Sequence, residues 1–151
     1  MTTTQAKNLY DTDYYAWTQE QIQLLKLGKL HQLDIANLIE EVEDLGGTVR
    51  KELVSRLGIL MGHLLKWEYQ PGYRGASWRA TIREQRRKTR KLFEKNPSLK
   101  SFLEEALIEA WEDALDLAER ETGLPVESFP PERVYGVEEI LDDAFWPGES
   151  Q

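Results

Sequence analysis

An all-α fold, a bundle of about four to six helices closed by a short C-terminal one, is what this chain predicts, and two observations carry the expectation. Apolar residues recur at three- and four-residue steps along nearly all of the 151 residues, as they do on one face of a helix. No stretch alternates apolar and polar residues with β-branched content, so no sheet is expected. The length fits one domain over 1–151, with only about 1–10 and 148–151 loosely ordered.

The elements follow in order. Tyr14, Trp17, Ile22, Leu24, Leu25 and Leu27 mark a first helix from about residue 13, stopped by Gly28, since glycine takes the left-handed position that ends helices. Asp34 is a candidate N-cap for a second helix whose stripe is Ile35, Leu38, Ile39, Val42 and Leu45. Gly46-Gly47 should break or bend it, each glycine costing about 1 kcal/mol relative to Ala. The stripe nevertheless continues in phase through Val49, Leu53, Leu57, Leu60 and Leu64, so either one helix or two spans 34–69.

Pro71, Gly72 and Gly75 make a turn, and Ser77 is a candidate cap for a basic helix from about Trp78 to Glu94. Asn96-Pro97 reads as an N-cap followed by proline in the first turn. A long helix follows, with Ala106, Ala110, Ala114 and Ala118 at four-residue steps that permit close approach of a neighbour, and Gly123 and Pro125 end it. A short terminal helix is expected over Val137 to Phe145.

Charge is unevenly spread. From Arg74 to Lys95 nine basic residues face two acidic ones, whereas from Asn96 onward three basic residues face fifteen acidic ones, within a net charge of −8. Side-by-side antiparallel helices would neutralise the two sets, and a basic face left uncovered would await an anionic partner. With no cysteine, there is no disulfide framework, thiolate nucleophile or Cys-ligated zinc. No run approaches a membrane span, the N-terminus lacks a signal-peptide pattern, and the chain reads as cytoplasmic with no membrane partner.

The densest chemistry lies between His63 and Arg86. Glu41, His63, Lys66, Trp67, Tyr69, Gln70, Ser77, Trp78, Arg83 and Glu84 form a candidate polar-aromatic cluster. Within it Glu41, His63, Ser77, Arg83 and Glu84 are expected to converge as a polar lock beside Trp67 and Trp78, with the two indoles packed in the core and their N–H groups bonded nearby. Arg79, Arg83, Arg86, Arg87 and Arg90 fall largely on one side of the basic helix, a candidate anion-binding face.

Four segments in this order also resemble a known family. They are Tyr10 to Trp17, Asp34 to Glu41, His63-Leu64-Leu65-Lys66-Trp67-Glu68-Tyr69-Gln70-Pro71, and Ser77-Trp78-Arg79-Ala80-Thr81-Ile82-Arg83-Glu84-Gln85-Arg86, followed by Pro97-Ser98-Leu99, Glu121-Thr122-Gly123-Leu124 and Phe129-Pro130. The pattern is similar to domain-of-unknown-function family 29, small helical proteins common in cyanobacteria. The chain departs from it at Arg133-Val134-Tyr135, where members often carry Cys-Pro-Tyr. The resemblance implies an all-helical fold and no established activity.

Function is therefore argued from the side chains. Glu40, Glu41, Glu43 and Asp44 with His63 and Glu84 offer ligands of the kind di-metal bundles use, but no Glu-x-x-His occurs, and paired glutamates on a helix are most often a solvated face. No metal and no cofactor is assigned, and no catalytic residue. No Gly-x-Ser-x-Gly, cysteine nucleophile or phosphate loop supports an enzyme. The leading expectation is a non-catalytic protein-interaction or regulatory module, with a homodimer compatible. The alternative is a nucleic-acid-binding protein using the basic helix 78–95, and the third reading is a metal-dependent enzyme using Glu41, His63 and Glu84.

Overall fold

The computed structural model describes residues 9–149, which contain helices and turns and no strand. Of the ends expected to be loose, 1–10 and 148–151, residues 1–8 and 150–151 lie outside the described residues, and residues 9 and 10 are helical. The chain divides into two compact units, Met1–Gly47 and Thr48–Gln151.

In the first unit a helical turn over residues 9–12 precedes helix α1 (Tyr14–Lys26). Asp13 caps α1, accepting from the Ala16 N–H at 3.1 Å. At its end Gly28 takes φ +72°, with the Lys29 N–H bonded to the Leu24 carbonyl and the Gly28 N–H to that of Leu25, the paired closure that a left-handed residue permits. A 3-10 turn, Leu30–Gln32, leads to α2 (Ile35–Tyr69). Asp34 anchors the start of α2: its carboxylate accepts from the Asn37 N–H at 3.4 Å and the Trp17 indole N–H at 3.0 Å, while its own N–H donates to the Gln21 side chain at 2.9 Å. Trp17 and Gln21 are the buried side chains of α1.

The expected break at Gly46-Gly47 does not occur, because α2 is one helix of 35 residues. Both glycines keep negative φ and nothing crowds either within 4 Å, so the helix runs through them at a local cost of about 1 kcal/mol each.

The second unit is a helical bundle built on the rest of α2. A 3-10 turn at Pro71–Tyr73 reverses the chain into α3 (Ala76–Lys95), a 3-10 segment Pro97–Phe102 reverses it again into α4 (Leu103–Thr122), and α5 (Val137–Leu141) follows a 3-10 turn at Val126–Ser128. Arg56 meets Gln85 and Lys66 meets Trp78, so α3 runs antiparallel to α2. Arg50 meets Phe102 and Lys66 meets Glu121, so α4 runs parallel to it. Glycine permits the second of these packings. A Cβ on Gly58 would lie 3.1 Å from the Asp113 Cβ, and one on Gly62 would lie 2.8 Å from Leu117 Cδ2. Ala106, Ala110, Ala114 and Ala118 are fully buried on the facing side of α4. Leu53, Leu57, Leu60, Leu64, Ile82, Leu107, Trp111 and Ile140 belong to the resulting core.

Two local expectations are corrected and a third holds in part. Gly75, with extended backbone, holds the N-cap position of α3, and Ser77 lies inside the first turn. Asn96 stands at the N-cap of Pro97–Phe102 with Pro97 in the first turn, as expected, but its side chain makes no capping bond there and donates back to the Leu92 carbonyl at 3.1 Å. The last helix stops at Leu141 instead of running to Phe145. The carbonyls of Glu139, Ile140 and Leu141 accept from arginine side chains, so they need no further helical turn to satisfy them.

Candidate functional site

The arginines of the basic helix divide into two sets. Arg86 is wholly buried, and its guanidinium donates from Nε to the Ile140 carbonyl (2.8 Å) and from Nη2 to those of Phe145 (2.8 Å) and Glu139 (3.3 Å). Burial pushes its pKa down, while Asp143 and Asp142 oppose that shift. Arg90 reaches the Leu141 carbonyl at 2.9 Å and both Asp143 oxygens at 3.2 Å. From the turn, Arg74 donates to the Trp67 carbonyl at 2.7 Å and to that of Pro147 at 3.3 Å. Three cations thus hold the C-terminal segment by its backbone, with the Trp146 ring 4.7 Å from Trp67 and 5.4 Å from Arg86. Arg86 and Arg90, expected on an open anion-binding face, are engaged by the chain itself. Arg79 and Arg83 are exposed, Arg79 lying 5.3 Å from the Trp67 ring.

The aromatic part of the cluster is core and its polar part is dispersed. Trp67 is buried, but its N–H has no partner among the described residues, against the expectation of a bonded indole; Trp78 is half-buried. Tyr69 packs edge-on to Phe129, and burial raises its pKa. Gln70 stands at the cap of the Pro71–Tyr73 turn. Lys66 is buried, 2.6 Å from Glu121 and 4.6 Å above Trp78, and its hydrogen bond holds Glu121 below the usual carboxylate range.

The polar lock is not formed. His63 Nδ1 lies 2.9 Å from the Ile59 carbonyl, Glu84 pairs with Lys88, and Glu41 accepts from the Tyr10 hydroxyl at 2.9 Å within the first unit. Among the described residues no hydrogen bond or ion pair joins any two of His63, Ser77, Arg83 and Glu84. The physical reason is local competition: a residue one turn away reaches His63 and Glu84 before another helix can. Nor do three His, Asp or Glu side chains gather as a metal donor set among the described residues. No ion pair among them joins α3 to α4; the acidic helix pairs through Glu121 with Lys66 and through Glu104 with Arg133. Tyr135, in the segment that departs from the family pattern, is buried and donates to Glu68 at 2.7 Å.

Three open surfaces remain, and the basic helix that borders one of them was singled out in the sequence. On α2, Leu53, Leu57, Leu60 and Leu64 are fully buried, whereas Ile35 (54%), Ile39 (52%), Val42 (63%) and Leu45 (67%), one stripe with them, stand exposed. Ile35, Leu38, Ile39, Val42 and Glu43 line a shallow depression of about 300 Å³ in the first unit. In the second unit a groove of about 420 Å³ between α2 and α3 is lined by Arg56, Arg87, Lys88, Lys91 and Lys95, with Glu52 the acidic member of its wall. The four-residue spacing of Arg87, Lys91 and Lys95 was visible in the sequence, but the contribution of Arg56 from another helix carries no sequence signal. A larger groove of about 620 Å³ between α2 and α4 mixes Arg50, Lys51 and Arg120 with Glu109, Asp113 and Asp116, a wall that favours neither sign of ligand.

Comparison with known proteins adds the last observation. Neither a curated protein nor a solved structure matches this chain. A family pattern does match, over residues 9–146, and nearly every element described above falls inside it. The chain belongs to the family described as "Domain of unknown function DUF29".

Proposed function

We infer that this protein is a non-catalytic interaction module, whose first unit receives an amphipathic helix of a partner protein carrying basic residues beside its apolar face. The observation that carries this is the exposed half of the α2 stripe. Over residues 53–64 the stripe is core, and over 35–45 the same periodic side chains face solvent. A stripe of helical period left uncovered is the form a helix-in-groove partner recognises. Ile22, Leu25, Leu27 and Leu30 add further exposed apolar side chains in this unit.

Charge selects the occupant. Residues 9–47 carry Lys26 and Lys29 against eight acidic residues, with Glu43 on the rim of the apolar depression. A second copy would bring two acidic rims together, which is repulsive, whereas a basic-flanked helix completes the charges.

The test uses labelled synthetic amphipathic helices of about 20 residues, one with Lys beside its Leu face and one with Glu. Anisotropy is measured with the full chain and with the Ile39→Glu, Val42→Glu double variant, whose substituted positions are exposed. The expected result is micromolar binding of the Lys peptide, weakened about tenfold or more for the Glu peptide and lost in the variant. Equal affinity for both peptides overturns the charge argument. No binding, with self-association in sedimentation that the variant abolishes, assigns the face to a second copy instead.

A further inference from the structure

We propose that the groove between α2 and α3 is a binding site for a small, multiply charged phosphate compound, of the class to which pyrophosphate and tripolyphosphate belong. Five cations, Arg56, Arg87, Lys88, Lys91 and Lys95, face one carboxylate, Glu52, around an opening of about 420 Å³. The fold has already engaged some of these charges: Arg56 lies 2.8 Å from Glu52 and Lys88 lies 2.5 Å from Glu84. Arg87, Lys91 and Lys95 are exposed, and among the described residues no ion pair engages them. The contrast with Arg86 and Arg90 on the same helix, both bonded to the C-terminal segment, leaves these three as the uncommitted charge.

The groove's shape and chemistry select phosphate. Steps of four residues set Arg87, Lys91 and Lys95 about 6 Å apart along α3, a spacing that a short run of linked phosphoryl groups bridges. Arg56, held on the opposite wall by Glu52 and Gln85, adds positive field, and the lysines act as point charges. The apolar lining is confined to Val49 and Leu92, and no aromatic ring is present. A nucleic-acid base therefore has nothing to stack on, and a peptide finds little apolar surface for its side chains. The positive field reaches Glu84, which is held below the usual carboxylate range by the hydrogen bond from Lys88 and by the charges of Lys88, Arg87 and Arg56. A net charge of −8 disfavours diffuse anion binding elsewhere on the chain.

The experiment is calorimetric titration of the full chain with tripolyphosphate at about 20 mM and about 150 mM salt. Two double variants run alongside: Arg87→Gln with Lys91→Gln inside the groove, and Arg83→Gln with Lys100→Gln, which removes equal charge from exposed positions outside it. The expected result is one site, weakened by salt, about tenfold or more weaker in the groove variant and changed less than about twofold in the control. Absence of binding at low salt, or equal loss in both variants, overturns the proposal. A glutamate oligopeptide or an oligothymidine of matched charge binding more tightly than tripolyphosphate also overturns it, in favour of an acidic protein segment or a nucleic-acid strand. The groove lies wholly in the second unit, so its failure and that of the helix-docking face are separate results.

Discussion

Replacing Arg86 with Ala should release the C-terminal segment from α3. The side chain makes two hydrogen bonds of 2.8 Å to the Ile140 and Phe145 carbonyls and a longer one of 3.3 Å to Glu139, all from a fully buried guanidinium. Hydrogen bonds to a charged group contribute about 1.5–3 kcal/mol each, and removing one partner of a buried charged contact leaves the other unsatisfied. The two short bonds, less the desolvation already suffered by the guanidinium, give an expected loss of about 3–5 kcal/mol. Arg86→Lys keeps the charge but not the fork, so it should recover only a small part of the loss. Arg87→Ala, one residue along and exposed, should change stability by less than about 0.5 kcal/mol. Urea unfolding gives the magnitude, and amide exchange over residues 139–147 shows whether the segment detaches before global unfolding. Unchanged midpoint and unchanged protection in Arg86→Ala would refute the reasoning that these carbonyls depend on Arg86.

Two further outcomes follow from the glycines and the histidine. Gly46→Ala should stabilise by about 0.5–1 kcal/mol, since the position is helical, exposed and clear of neighbours within 4 Å, while Gly62→Ala, whose Cβ would meet Leu117 at 2.8 Å, should destabilise by about 1–3 kcal/mol; thermal midpoints of the pair decide. The pKa of His63 is pushed below its usual value by burial, with the Lys66 charge adding to the shift, so the unfolded chain takes up the proton first. Its contribution to stability is complete above about pH 6.5 and is lost as pH falls through the folded value; urea midpoints measured from pH 7.5 down to 5 should decline, and His63→Gln should flatten that decline.

What sequence pattern could and could not show depends on the range of the physics. Helix phase, the Gly28 and Gly123 stops and the Asp34 cap are set by neighbours within one turn, and each stands where it was expected. The small residues of α4 likewise announced a close approach, though not that α2 would answer with Gly58 and Gly62. At Gly46-Gly47 the stripe's unbroken phase was the better guide than glycine propensity, since a cost of about 1 kcal/mol each is small within one continuous helix of 35 residues. The polar lock failed because residue type fixes what a side chain can bond but not which partner is nearest. Arg86 and Arg87 are adjacent and chemically identical in sequence, yet one is buried against carbonyls and the other borders an open groove. The exposed stripe was hidden in the same way: Ile39 and Leu57 occupy equivalent positions of one periodic pattern, and only the fold shows which is covered.

Amide exchange of the full chain with and without the Lys-flanked amphipathic peptide tests the interaction face most directly. Added protection over residues 35–45, with none over 139–147, is the expected result, because the first segment carries the uncovered stripe and the second is already held by Arg74, Arg86 and Arg90. Protection appearing over 139–147 instead, or over neither segment at saturating peptide, would contradict the assignment of the exposed half of α2 as the docking face.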